Sequence, residues 1–350
     1  PGAEAQAGGG RGAMDRRKGS FWQALFPRRD RFSLQELGYL HDVLEKHPTI
    51  YEGNKEVVVE SLRSIAELMI WGDQHDSSFF DFFAEHQTLS HFHRILEQTK
   101  NNRFGEVAVQ VLQTLSILIQ NTRSEQAIYF LFSNNHINAI VSREFDIKND
   151  EVLAYYVSFL KAIAMKLNKE TVQFFFTYSA NKRHFPLYTQ ALKFFNHEES
   201  MARAAVRTLT LQVYGIQDGE VQSFVVGGEA GEYFRDLGAH IAEQCANLCG
   251  IVSATGKGSI DPARLGAALD EVDDLVYYCN DIHSVGDAEV QNALIAGLVR
   301  TVGPQLFAPL AAVLGHKGCP RDLVNAPTDK ADGYVQALVA VHALQRFFQH

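Results

Sequence analysis

Apolar residues recur at spacings of three and four along most of the chain from residue 33 onward, with polar residues between them. Each such stripe predicts an amphipathic α-helix that buries one face. The pattern is clearest in four stripes: Val58, Leu62, Ile65 and Met69; Val107, Val111, Leu115 and Leu118; Tyr156, Phe159, Ile163 and Leu167; and Leu265, Leu269, Val272, Val276 and Cys279.

Two helix starts carry capping signals. Ser33 and Glu36 have the spacing of a capping box, and Asp261 before Pro262 predicts an N-cap followed by proline at the first helical position. Strand signals are scarce, because alternating β-branched runs and Asn-Gly hairpin turns are absent from the sequence.

Successive helices joined by short polar turns indicate how the chain is built. The apolar positions recur in blocks of roughly 40–47 residues, which is the length of an armadillo or HEAT unit. Such units stack on one another and bury a continuous core between neighbours. The predicted fold class is therefore all-α, an armadillo/HEAT-like α-solenoid of stacked helices.

The sequence divides into five segments. Residues 1–20 are rich in Gly, Ala and Arg and are expected to be disordered, and residues 21–31 form a short basic and aromatic segment. A helical repeat domain over 32–226 is followed by a Gly/Ala-rich region with an exposed loop over 227–260. Further helical repeats occupy 261–350. Because the chain stops directly after an apolar helix, we expect it to be part of a longer protein.

The segment 21–31 is a candidate membrane contact. Aromatic and apolar side chains next to arginines are typical of a short anchor for anionic lipid, although packing of the same aromatic residues over the first helices is the commoner alternative. The candidate contact residues are Phe21, Trp22, Leu25, Phe26, Arg28 and Arg29.

Charge and cysteine content narrow the functional classes. The net charge is −9 over 350 residues, which argues against nucleic acid as a partner because phosphate binding needs a basic surface. Four cysteines are too few for a disulfide framework and favour a reducing compartment. The best candidate membrane span, 294–314, is interrupted by two prolines and an arginine, so the pattern favours buried helices.

One set of residues has the types that bind zinc. Cys245 and Cys249 are four residues apart, as are Cys279 and His283, so each pair lies on one face of a helix. The usual Cys-x-x-Cys knuckle is absent, and Cys279 falls on a hydrophobic stripe. Buried apolar thiols are the favoured interpretation, and we predict no metal site and no cofactor.

Other acid–base residue types also have structural explanations. The acidic segment 71–78 lies between two apolar helices, where a capped turn is expected. His86, His91 and His93 lie near another helix junction with no matching carboxylate or thiol cluster, and we expect them to be solvated or structural. Known nucleophile, metalloprotease and dinucleotide motifs are absent from the sequence. The chain is therefore predicted not to be an enzyme and to bind no small-molecule substrate.

One long segment is more informative than its composition. Phe185-Pro186-Leu187 opens a stretch, ending at Tyr214, that closely resembles the signature of the FPL-domain family. Residues 61–73, 129–135 and 154–160 agree with the same family. That family includes the animal endosomal-maturation (Ema) proteins, also called C-type-lectin-domain-containing sixteen-A proteins, and a plant counterpart.

The resemblance implies an armadillo-like fold and a cytosolic protein attached peripherally to endosome or Golgi membranes. It implies roles in endosome maturation, delivery to the lysosome or vacuole, and autophagy. Since a stack of helices offers an extended surface, the expected partners are trafficking proteins: a small GTPase, a tether or a ligase component. Two alternatives remain: a component of a ubiquitin-ligase complex and a peripheral lipid-binding module.

Within the signature, most apolar residues have the spacing of helix cores. Asn196 and Glu199 have the spacing of a capping box between two of these helices. Lys193, Arg203 and Arg207 are candidate partner-binding residues that would form a basic strip for an acidic partner. Ordinary solvated helix faces are the commoner explanation of such charges.

Overall fold

The computed structural model describes residues 31–99, 105–179, 182–253, 261–315 and 328–348. These residues are almost entirely helical, with one short hairpin. The predicted all-α fold class of stacked helices is confirmed. Residues 1–20, which the sequence predicts to be disordered, lie outside the described residues.

Two compact units divide the chain, residues 1–127 and residues 128–350. The described helices of the first unit are α1 (Leu34–Lys46), α2 (Lys55–His75), α3 (Ser78–Glu85), α4 (Leu89–Glu97) and α5 (Gly105–Asn121). Helix α6 (Glu125–Ser133) contains the boundary. In the first unit α2 packs against α1, α3 and α5, and α4 packs against α5.

The predicted stripes form the core of the first unit. Val58, Leu62, Ile65 and Met69 of α2 are buried, and so is the corresponding stripe of α5. Burial of one such side chain contributes roughly 1.5–3 kcal/mol, so a few stripes outweigh the modest helix propensity of their β-branched members.

Polar side chains join parts of the first unit that are about one repeat apart in sequence. The Arg94 guanidinium donates to the Leu44 carbonyl oxygen at 2.8 Å, across 50 residues. The Asp73 carboxylate accepts the backbone N–H of Arg123 at 2.7 Å, also across 50 residues. Each contact fixes one layer of helices on the next.

The second unit begins with α7 (His136–Val141) and α8 (Asp150–Ala164), followed by a 3₁₀ turn (Thr171–Phe175). Its later helices are α9 (Pro186–Leu192), α10 (Ser200–Tyr214), α11 (Gly219–Val226), α12 (Gly228–Ser253), α13 (Pro262–Val285), α14 (Ala288–Thr301), α15 (Gly303–Gly315) and α16 (Thr328–Phe348). Helix α10 packs against α8, and α12 packs against α13, α14 and α16.

A β-hairpin precedes α9 and was not expected from the sequence. Strands β1 (Thr177–Ser179) and β2 (Lys182–His184) pair antiparallel, with Tyr178 opposite Arg183. Strands of three residues are too short to show the alternation that identifies a strand in a sequence. The hairpin leads directly into the signature residue Phe185.

The Gly/Ala-rich region expected over 227–260 contains the longest described helix, α12. Its apolar residues, including Tyr233, Phe234 and Leu237, keep helical spacing and are buried, so packing outweighs the cost of the glycines. A Cβ atom on Gly231 would lie 2.2 Å from the Val226 carbonyl oxygen, so the α11–α12 corner needs a glycine there. The loop expected in this region falls on 254–260, outside the described residues.

Helix starts follow the sequence signals in two of three cases. Ser33 Oγ accepts the Glu36 N–H at 3.2 Å, and Asp261 Oδ1 accepts the Ala263 N–H at 3.0 Å, so both predicted caps are confirmed. The capping box predicted from Asn196 to Glu199 is wrong. Glu199 itself precedes α10, and its N–H donates to His197 Nδ1 at 3.1 Å.

Over the described residues, no individual helix has both the length and the apolar character needed to cross a membrane. Helix α14 and residues 303–311 of α15 meet that test as a pair, with a bend of 48° between them.

Candidate functional site

The family signature lies where the hairpin meets α9. Phe185 and Leu187 are fully buried, and Pro186 occupies the first turn of α9, where its missing N–H costs no helix hydrogen bond. The Phe185 ring lies 4.7 Å from the Phe176 ring and 6.0 Å from the Phe224 ring, measured between centroids. These residues therefore hold the hairpin and α11 against α9.

Buried tyrosines link four helices behind the signature. The hydroxyls of Tyr188 and Tyr214 share a hydrogen bond of 2.8 Å. The Tyr278 hydroxyl contacts Thr210 Oγ1 at 2.6 Å and the Tyr233 hydroxyl at 2.8 Å. Burial raises the pKa of Tyr278 to about 12 and raises the pKa of the other three tyrosines as well. The hydroxyls are therefore neutral, and the pairs connect α9, α10, α12 and α13.

Two of the candidate partner-binding residues contact their own unit. Arg203 donates to the His197 carbonyl oxygen at 2.8 Å and lies 3.3 Å from Glu271. Arg207 lies 3.9 Å from Glu271, and its guanidinium lies over the Tyr278 ring. The arginine side chains are only 20% and 21% exposed. Both arginines therefore join α10 to α13.

Lys193, the third candidate, is exposed directly after α9. The three basic residues consequently do not form one free strip, because two of them face a carboxylate of the same unit. Of the three, Lys193 has the exposure that contact with an acidic partner requires.

The hairpin adds a surface aromatic residue that sequence reasoning missed. Tyr178 is 70% exposed. The Arg183 guanidinium lies 5.5 Å from the centre of the Tyr178 ring and 3.0 Å from Glu220. Because the register of the hairpin creates this pairing, nothing in the local sequence indicated it.

The cysteines considered for zinc do not form a converging site with His283. Within the described ranges, one group of three potential metal ligands has converging ligand atoms. It consists of other residues, in the first unit. Burial raises the pKa of Cys279 to about 12 and that of Cys245 to about 11. Both thiols are therefore protonated at neutral pH, as the interpretation of buried apolar thiols predicts.

The turn predicted for the acidic segment 71–78 is confirmed only at its end, because residues 71–75 complete α2 and residues 76 and 77 link it to α3. Asp73 accepts the Ser124 N–H at 3.1 Å next to the start of α6, and Asp76 accepts the Ser78 N–H of α3 at 3.0 Å. His75 stacks on Trp71, with 4.6 Å between ring centroids. These contacts give the segment a structural role.

The expectation that the histidines near the α3–α4 junction have no matching carboxylate is wrong. His91 is buried, and its ring centre lies 4.9 Å from that of His41 on α1. Glu45 Oε1 lies 3.5 Å from His41 Nε2. Since these residues are about 50 positions apart, sequence spacing did not reveal the cluster.

The candidate membrane contact lies outside the described residues. This applies to Phe21, Trp22, Leu25, Phe26, Arg28 and Arg29.

Comparisons with known proteins agree with the sequence resemblance. The FPL family, described as an uncharacterised conserved protein, matches residues 62–214. TRANSPARENT TESTA 9 of Arabidopsis thaliana is 42% identical over 82% of this chain, and CLEC16A of Homo sapiens is 41% identical over 81%. The chain spans 34% and 26% of the lengths of these relatives.

Among solved structures, a designed armadillo repeat protein in complex with the peptide (KR)4 aligns with 89% of this chain and 99% of its own. The TM-score is 0.47 and the sequence identity is 14%.

Proposed function

Because this chain belongs to the FPL-domain family, with CLEC16A and TRANSPARENT TESTA 9 among its relatives, we propose that it is a non-catalytic scaffold in endosomal and Golgi membrane traffic. It supports endosome maturation, lysosomal or vacuolar delivery and autophagy through protein–protein interaction. The observation that carries the proposal is the identity of about 40% with these relatives over most of the chain.

The chemistry of the described residues supports a binding role. The tyrosine hydroxyls are buried and neutral, the signature phenylalanine is core, and Asp73 and Asp76 cap helices. Stacked helices offer an extended surface for a folded partner or a peptide. The proposed partners are trafficking proteins: a small GTPase, a tether or a ligase component.

The proposed location is cytosolic, with peripheral attachment to endosome or Golgi membranes. Segment 21–31 supplies the lipid contact, and Lys193 is the candidate contact for an acidic protein partner. The alternatives are a ubiquitin-ligase component and a module that acts through lipid binding alone.

Membrane fractionation tests the proposal. The tagged chain is expressed with and without residues 1–31 and followed beside endosomal and Golgi markers. We expect the intact chain to co-migrate with those markers and the shortened chain to become more soluble. If both forms stay fully soluble, peripheral attachment through this segment is rejected.

Three further measurements separate the alternatives. Sedimentation with phosphatidylcholine vesicles, with and without phosphatidylserine, tests lipid binding by the purified chain. Ubiquitin transfer with purified activating and conjugating enzymes tests the ligase alternative.

The variant Lys193→Glu tests protein contact by proximity labelling of endosomal GTPases and tethers. The control variant is Lys161→Glu, on the exposed face of α8. Loss of labelling in the first variant alone is the expected result.

A further inference from the structure

Three potential metal ligands from two helices converge in the first unit. His41 and Glu45 lie on α1, and His91 lies on α4. One ligand atom from each lies within 4.8 Å of the other two. Together they offer two imidazole nitrogens and one carboxylate oxygen, a donor set that suits zinc.

Local structure explains why these three side chains meet. His41 and Glu45 are four residues apart on α1 and therefore project from the same helix face. Between α3 and α4, Gln87 adopts the left-handed conformation, with φ of 47°. Because the chain reverses direction at Gln87, α4 begins two residues later and His91 lies against α1. The backbone strain at a residue other than glycine is small but must be offset by the packing of α4.

His91 is the observation that points to a ligand. His91 is 95% buried, with an exposed fraction of 5%, and neither ring nitrogen has a hydrogen-bond partner among the described residues. A buried polar group without a partner destabilises the folded state. In its neutral form the imidazole has a lone pair on one ring nitrogen. A metal ion would accept that lone pair and so give one of the two ring nitrogens a partner.

The surroundings of His41 suit a ligand. Buried Thr88 places its hydroxyl 3.3 Å from His41 Nδ1. If the Nδ1 proton is donated to this hydroxyl, Nε2 keeps its lone pair and faces Glu45. Histidine ligands usually have such a second partner, which fixes the ring and the tautomer.

Few other charged groups lie near the three residues, and they have opposite effects on a bound cation. Asp42 is exposed on α1 and attracts a cation. The positive charge of Arg94 repels a cation, but its Nη2 donates to the Leu44 carbonyl oxygen at 2.8 Å. His86, whose ring centre lies 5.2 Å from that of His41, has Nδ1 3.0 Å from the Phe82 carbonyl oxygen. Proton donation to that carbonyl leaves the second nitrogen of His86 free as an accepting neighbour.

We propose that His41, Glu45 and His91 bind one divalent transition-metal ion of the zinc class, which ties α1 to α4 and leaves a fourth position for water or a ligand from a partner. Ligand atoms around zinc lie roughly 3.3 Å apart, because each is about 2.0–2.2 Å from the ion. Glu45 Oε1 already lies 3.5 Å from His41 Nε2. Since no two of the three ligand atoms are more than 4.8 Å apart, closing the site on an ion requires movements of at most about 1.5 Å.

Calorimetry on the purified chain tests the proposal. The protein is treated with EDTA, dialysed and titrated with Zn²⁺ alone, and unfolding temperatures are recorded with and without the ion. We expect one ion per chain and an unfolding temperature that rises with Zn²⁺ concentration, because an ion that binds the folded state stabilises it.

Variants assign the binding to this cluster. Glu45→Gln changes an exposed side chain and should weaken Zn²⁺ binding at least about tenfold, and His91→Gln should abolish it. Asp42→Asn is the matched control: it removes a neighbouring charge on the same helix and should change the affinity less than about threefold. The variant Cys245→Ser/Cys249→Ser/Cys279→Ser should bind like the wild type.

Three results would overturn the proposal: no saturable Zn²⁺ binding, wild-type affinity in both Glu45→Gln and His91→Gln, or loss of binding in the cysteine variant alone. If His91→Gln fails to fold, Glu45→Gln decides the outcome, because its side chain lies at the surface.

Discussion

Gly238 of α12 faces Gly297 of α14 at the point where these helices cross. A Cβ atom on Gly297 would lie 2.5 Å from the Phe234 carbonyl oxygen, and one on Gly238 would lie 2.2 Å from Thr301 Oγ1. The two backbones approach as closely as they do because neither position carries a side chain.

Gly297→Ala is therefore expected to lower the free energy of unfolding by about 1–3 kcal/mol, the usual cost of overpacking. Gly266→Ala in α13 is the control, since a Cβ there meets nothing within 4 Å. It should stabilise the protein by up to about 1 kcal/mol through helix propensity. Urea unfolding followed by circular dichroism measures both, and equal stabilisation by the two substitutions would contradict the close crossing.

The paired hydroxyls of Tyr188 and Tyr214 predict a non-additive pair of substitutions. Tyr188→Phe leaves the Tyr214 hydroxyl buried without its partner, which should cost about 1–3 kcal/mol of unfolding free energy. Tyr188→Phe/Tyr214→Phe removes both polar groups and should cost less than the sum of the single changes. Tyr51→Phe, at an exposed ring, should stay within about 0.5 kcal/mol of the wild type. Additive single effects in a double-mutant cycle would rule out this coupling.

The arginines of α10 should affect stability, whereas Lys193 should not. Arg203→Ala removes a half-buried contact with Glu271 and two hydrogen bonds to carbonyl oxygens. We expect a loss of about 1–3 kcal/mol of unfolding free energy. Lys193→Ala is exposed and should change it by less than about 0.5 kcal/mol. Thermal and urea unfolding check this, and an Arg203→Ala protein as stable as the wild type would restore Arg203 as a free contact residue.

Alkylation should rank the three cysteines of the described ranges by burial. Burial raises the pKa of Cys245 to about 11 and that of Cys279 to about 12, and it raises the pKa of half-buried Cys249 as well. Since the thiolate is the reactive form, Cys279 should react with iodoacetamide most slowly in the folded protein. Peptide mass spectrometry before and after unfolding measures the rates. Modification of Cys279 as fast as Cys249 in the native state would contradict its burial.

Local patterns in the sequence predicted the helices well. The stripe from Val58 to Met69 is core in the structure, and Ser33 and Asp261 cap helices as their positions indicate. Three- and four-residue spacing and N-cap preference act within a few residues, so a single sequence contains them. The match of the FPL family to residues 62–214 likewise agrees with the segment ending at Tyr214 that carried the resemblance.

Contacts between distant segments could not be predicted in this way. Arg203 meets Glu271 across 68 residues, and His41 meets His91 across a helix junction. Both depend on which helices stack. The helix through Gly238 was not predicted for a related reason. Its glycines weaken the local helix signal, and one of them, Gly238, permits the close contact with α14.

The contact between Asp73 and Arg123, which are 50 residues apart in sequence, also has a consequence for how the chain folds. Forming such a contact requires closure of a loop of one repeat, and loop-closure entropy grows only slowly with length. Domains dominated by contacts of short range in sequence fold quickly and can begin at more than one place. The first unit should therefore be able to start folding in more than one layer, with each completed layer serving as the template for its neighbours.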